Sequence, residues 1–133
     1  AVLALARTHG PVLKVSAKAA VRGDQGVVLG YPNNGGLRGV RASVAAVFSA
    51  AGRDIYGTRI VAREVEEIGA VVQPGNSGGP LVGTNGEVIG LVFSRSASSN
   101  KVGYALTTPQ VLNALRSAAA ASKRVGTGAC APA

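Results

Sequence analysis

Short runs of β-branched and aliphatic residues, each closed by a glycine- or asparagine-bearing turn, recur along almost the whole chain. V-V-L-G-Y-P at 27–32 ends in a proline turn, N-N-G-G fills 33–36, T-N-G fills 84–86, and V-G-Y-A-L-T occupies 102–107. This punctuation leaves little room for long helices and favours many short strands joined by tight turns. The available core residues agree. Trp and Met are absent and there are only 2 Phe and 3 Tyr, so the interior is built from Val, Leu, Ile and Ala. At 133 residues the chain is one domain or a piece of one. That length buries a core without disulfide staples.

The pattern predicts six or seven strands: 2–6, 27–32, 38–48, 59–72, 81–83, 87–94 and 102–107, with an extended segment at 12–16 and turns at 8–11 and 51–54. Residues 59–72 carry Glu64, Glu66 and Glu67, which suit a helix as well as a strand. The frequency of β-branched residues decides for a strand. Residues 108–122 read as the single helix, with Thr108 as cap, Pro109 in the first helical position, and Val111, Leu112 and Leu115 as its apolar stripe. The expected class is all-β: a small barrel with one C-terminal helix packed outside it.

The formal net charge is +8, from 14 Lys and Arg against 6 Asp and Glu. The basic residues are scattered, aromatics for base stacking are few, and no nucleic-acid motif is present, so the charge reads as a solvated basic surface. Binding to acidic polymers would rest on charge alone. No run is apolar enough to span a bilayer, and no basic region opens a signal peptide, so a membrane would enter only through segments outside this sequence. Cys130 is the one cysteine. It is either a free thiol or half of a bridge to residues outside the chain. No metal and no cofactor are expected.

One stretch departs from turn chemistry. P-G-N-S-G-G-P-L at 74–81 sets three glycines and two prolines around Ser77. A hairpin turn needs one glycine for a positive φ. A serine nucleophile needs more: an exposed Oγ, backbone amides converging on the developing oxyanion, and small neighbours that admit a substrate. Gly75 and Ser77 are the candidate oxyanion donors, with Asn76 between them. His9, the only histidine, lies in a T-H-G-P turn and reads as a surface residue rather than as the base for Ser77.

G-N-S-G-G-P resembles the serine motif of chymotrypsin-like proteases, in the HtrA-type variant with Asn before the serine. G-E-V-I-G-L-V-F-S at 86–94 is similar to the strand that runs beside the substrate, and V-G-Y-A-L-T to the strand that closes the specificity pocket. L-G-Y-P at 29–32, G-R-D-I-Y-G at 52–57 and T-G-A-C near the end extend the resemblance to the actinobacterial MarP-type periplasmic serine proteases, over nearly the whole chain. The resemblance implies a serine endopeptidase with two barrels, His and Asp on the first and Ser on the second. Bacterial members often carry the Asp in D-x-A-V-L, and this chain begins A-V-L. The expected layout is therefore the last strand of a first barrel and a linker over 1–10, the nucleophile barrel over 11–107, and the helix and tail over 108–133. The His and Asp are expected outside the sequence, and the chain alone is expected to be inactive.

The resemblance also places a specificity pocket. Val71 stands six residues before Ser77, where trypsin-like enzymes carry an Asp, and Val72, Phe93, Ser94 and Gly103 complete the lining. A basic P1 side chain would be buried there unpaired, so a small or medium apolar P1 is expected. Arg95 replaces a glycine common in relatives and would narrow the outer pocket. Asn76 replaces the Asp that pairs with a freed N-terminus, so activation by that route is not expected. By resemblance, Cys130 pairs with a cysteine upstream of the first barrel, in an oxidising, extracytoplasmic compartment, the parent being membrane-anchored. The expected partners are a peptide or protein substrate, and the missing N-terminal half or a second copy. The rival to catalysis is a protease-like barrel kept for peptide binding.

Overall fold

The structure is a computed structural model. It describes Val2, residues 10–54 and residues 56–121. The strand expected over 2–6 (Val2 excepted), His9 and Cys130 lie outside the described residues.

Six strands form one closed ring: β1 (Gln25–Gly30), β2 (Arg38–Arg53), β3 (Ile60–Gly69), β4 (Pro80–Gly83), β5 (Val88–Arg95) and β6 (Val102–Thr107). Every neighbouring pair is antiparallel, in the order β1-β2-β3-β6-β5-β4, and β4 closes back onto β1. Closure gives every strand two neighbours, each over part of its length, which limits the edge open to pairing with other chains. Alternation along the strands sends Val28, Val44, Ile68, Leu81, Val92 and Ala105 into the interior, each at most 2% exposed. Burying side chains of this size contributes roughly 1.5–3 kcal/mol each for the larger ones. The 12–16 segment is extended as expected. It joins the barrel through a parallel bridge from Val15 to Val88 and hydrogen bonds from Ser16 N to Val88 O (2.9 Å) and Val88 N to Lys14 O (2.8 Å).

Residues 60–69 are a strand, and the helical alternative fails because β2 pairs along the whole segment and β6 along its second half, from Val65. The turn expected at 51–54 starts later: β2 runs on to Arg53, and the reversal is closed by Asp54 N to Arg59 O at 2.9 Å. The strand expected to reach Val72 stops at Gly69, so Val71 and Val72 belong to the loop that leads to Ser77.

The helix α1 spans Thr108–Ala120. Its N-cap is Thr107, one residue before the expected cap, and no side chain caps it. Both threonine hydroxyls are engaged elsewhere: Thr107 Oγ1 donates to Glu64 Oε2 (3.1 Å) and Thr108 Oγ1 to Lys18 O (3.1 Å). Val111 and Leu112 are half-buried, whereas Leu115 is exposed.

Candidate active site

The Ser77 loop lies between β3 and β4 and rests on the far end of β1. Gly75 has φ +95°, a region that L side chains avoid, and a Cβ there would overlap the Tyr31 carbonyl. The loop is pinned to β1 by Tyr31 N to Gly75 O (3.2 Å) and to the following turn by Asn33 N to Pro74 O (2.8 Å). On the other side Gly78 N donates to Val92 O (2.7 Å) and Val92 N to Gly79 O (3.0 Å), tying the loop to β5. The glycines flanking Ser77 thus let backbone meet backbone on two sides.

Ser77 is exposed. Its Oγ donates to the Phe93 carbonyl at 3.4 Å. Phe93 is available because the β5–β6 register slips between Val92 and Ser94, leaving Phe93 outside the ladder. Among the described residues, the amides of Asn76, Gly78 and Gly79 donate to carbonyls, whereas those of Gly75 and Ser77 donate to no protein acceptor. The loop thus carries an exposed hydroxyl and two unspent amides, the kinds of group that an oxyanion site requires. Asn76 points the other way. It is 1% exposed, and its Nδ2 has no hydrogen-bond partner.

The residues assigned to the specificity pocket separate. Val71 is exposed, and Phe93 is exposed beside the serine. Ser94 is half-buried, with its Oγ on Arg95 O at 3.2 Å, and Arg95 ends β5 exposed to solvent. Val72 and Gly103, however, pack against each other inside the core, where a Cβ on Gly103 would overlap Val72 Cγ2. A hollow of about 450 Å³ lies at the opposite end of β1, lined in part by Lys18, Asp24, Gln25 and Asn85, away from Ser77.

Sequence reasoning missed Glu66. With Glu64 and Glu67 it reads only as a residue that suits a helix as well as a strand, and that composition does not mark a glutamate that faces inward. Glu66 is fully buried, and neither carboxyl oxygen has a hydrogen-bond partner. The carboxyl occupies the space left by Gly90, where a Cβ would overlap Oε2. Burial, and after it the nearby Asp24 and Glu64 carboxylates, push its pKa up to about 8.

Residues 1–91 match the model of the trypsin-like peptidase domain. The serine protease Rv3671c of Mycobacterium tuberculosis is 39% identical over 131 residues, which is 98% of this chain and 33% of that protein. The chain thus spans about a third of the length of the curated relative. The crystal structure of the Rv3671c protease in its active form superposes with a TM-score of 0.85 at 39% identity, over 92% of this chain and 54% of the other. The HtrA-type protease AlgW, solved with a decapeptide, gives a TM-score of 0.64 at 27% identity, over 80% of this chain and 33% of that one.

Proposed function

The chain belongs to the trypsin-like peptidase family, and from that premise we propose that it is the nucleophile-bearing barrel of a serine endopeptidase. The observation that carries the proposal is the exposed Ser77 hydroxyl on a loop whose Gly75 and Ser77 amides no protein acceptor uses. In the proposed reaction Ser77 Oγ attacks the carbonyl carbon of a peptide bond and gives its proton to a general base. The tetrahedral oxyanion accepts hydrogen bonds from the Gly75 and Ser77 amides. The C–N bond then breaks, the base returns its proton to the leaving amine, and water hydrolyses the acyl-enzyme to the acid and free Ser77.

Ser77 Oγ now donates to a backbone carbonyl, which is no base. We assign the base and its orienting acid to a His and an Asp outside this sequence, on the other half of the protease; this chain covers 54% of the solved Rv3671c protease. The chain alone is then inactive. β4 covers β5 only as far as Leu91, so the edge at Phe93–Arg95 is open for an extended substrate. Exposed Val71 and Phe93 beside it suit a small or medium apolar P1 side chain, and no acidic partner for a basic one is present at Val71. The site is assigned to an extracytoplasmic compartment, on a membrane-anchored parent, with Cys130 bridging to a cysteine outside the chain.

A fluorophosphonate tests this. The longer protein should be labelled at Ser77, Ser77→Ala should not, and this chain alone should stay unlabelled. The rival, a peptide-binding barrel without catalysis, has in its favour that the hydroxyl meets no base among the described residues; it predicts no labelling even of the longer protein.

A further inference from the structure

The serine loop takes its shape from the strand beneath it. Three consecutive residues, the last two of β1 and Tyr31 just after it, lie against the loop. The Leu29 carbonyl occupies the place a Cβ on Gly79 would take, and the Tyr31 carbonyl does the same at Gly75. Between them lies Gly30. A Cβ on Gly30 would stand 2.7 Å from Asn76 Oδ1, 2.9 Å from Asn76 Cα and 3.1 Å from Gly75 O. Two of those three atoms are backbone, so no change of rotamer would make room.

We propose that Gly30, outside the serine loop, is a positioning residue for the reaction at Ser77: its bare Cα is the seat of Asn76, and that seat aims the Gly75 and Ser77 amides. The inference rests on Ser77 being the nucleophile. Asn76 is the residue between the two amide donors, so lifting it off its seat turns the peptides on both sides. Its Nδ2 has no partner, so the side chain is kept in place by packing, while the Asn76 backbone donates to Gln73 O and accepts from Gly79 N, both at 3.0 Å. Hydrogen bonds weaken steeply with angle, and an oxyanion forms at a fixed point, so a small tilt of both donors is felt in the rate.

The same strand supplies a control. A Cβ on Gly26 would overlap the Val82 carbonyl, a collision of the same kind at the opposite end of β1, away from Ser77. A glycine that serves only the barrel predicts equal consequences at both positions. A positioning glycine predicts that only Gly30 reaches the chemistry.

The experiment uses the longest natural form of the protein that carries this chain, with a fluorophosphonate as probe. Ser77 Oγ bonds to phosphorus, fluoride leaves, and the hydroxyl proton goes to the base. Maximal inactivation rate and probe affinity are measured separately, alongside the thermal midpoint, for Gly30→Ala, Gly26→Ala, Asn76→Ala and Ser77→Ala. Gly30→Ala should lower the maximal rate about 10- to 100-fold, within the range for a misplaced oxyanion donor, with probe affinity within about twofold. Gly26→Ala should lower the thermal midpoint while keeping the maximal rate within about threefold. Asn76→Ala, which empties the seat without a collision, should lower the rate about tenfold. A Gly30→Ala protein with unchanged rate, or a Gly26→Ala protein slowed as much, overturns the proposal. If Gly30→Ala does not fold, Asn76→Ala decides, and a rate within about twofold of the parent rejects it. Labelling that survives Ser77→Ala refutes the nucleophile itself, and is told apart from failure at Gly30 by that variant alone.

Discussion

Gly75 and Glu66 are two residues whose environments conflict with an ordinary side chain, in opposite ways. Gly75 accepts a positive φ and a carbonyl where its Cβ would be, so Gly75→Ala should push the loop off Tyr31 while the barrel stays closed. The expected outcome is loss of fluorophosphonate labelling by about 100-fold or more, with a far-ultraviolet spectrum like that of the parent. Glu66 keeps its side chain but buries it without partners. Its folded pKa, about 8, lies above the ordinary value of 4.5. The folded protein therefore holds this proton more tightly than the unfolded chain does. The stabilising effect is complete below about pH 4.5, falls as pH rises, and is gone above about pH 8. Urea unfolding between those limits should show a loss on the order of a few kcal/mol, since each tenfold difference in proton affinity between the folded and unfolded chain is worth about 1.4 kcal/mol. Glu66→Gln keeps the shape without the titration and should flatten the profile; a profile unchanged by that substitution would show that other groups set it.

At the scale of elements, the β2–β3 hairpin outgrows the barrel. β1 covers β2 only as far as Ser43, and β6 covers β3 only from Val65 onward. Residues 49–53 and 60–64 therefore pair with each other alone, as a two-stranded arm, which is marginally stable by itself. Its end is tied by Asp54, whose carboxylate accepts from Thr58 N (2.9 Å), Thr58 Oγ1 (3.0 Å) and Tyr56 N (3.2 Å). The Thr58 amide bond is the main reason the Asp54 pKa is lowered. Asp54→Ala should thus speed amide exchange across 49–64 while leaving the serine loop and its labelling alone; faster exchange at Gly78 or Val92 would contradict this. The arm also shows where sequence reading stops. Val, Ile and Gly periodicity marked five of the six strands to within a few residues, because alternation records which side is buried. It placed the end of β2 early, because A-G-R-D at 51–54 has turn composition, and composition does not reveal that β3 extends the pairing to Arg53. The serine loop was legible because its glycine density exceeds what a turn requires. The close contact at Gly30 and the inward Glu66 were not, because both depend on which strand lies opposite.

For the whole molecule, the balance lies between a strongly basic surface and an exposed apolar rim. Tyr31 (58% exposed), Val71 (45%) and Phe93 (42%) lie on segments that converge at the serine loop, the face assigned above to the other half of the protease. An apolar surface left open in this way favours association. A net charge of +8 opposes it, since two copies repel each other over about one Debye length. The two forces respond differently to salt. At about 0.01 M ionic strength the Debye length is about 30 Å and repulsion reaches across a whole contact; at about 0.15 M it falls to about 8 Å. Sedimentation of this chain alone should therefore show monomer at low salt and a growing dimer fraction as salt is added. Phe93→Ser and Tyr31→Ser should each reduce the dimer at fixed salt, because they remove apolar area and leave the charge untouched. An association that weakens with salt would instead place opposite charges in the contact. A chain that stays monomeric at about 0.15 M salt with the repulsion screened would mean that the rim is too small to hold a second copy.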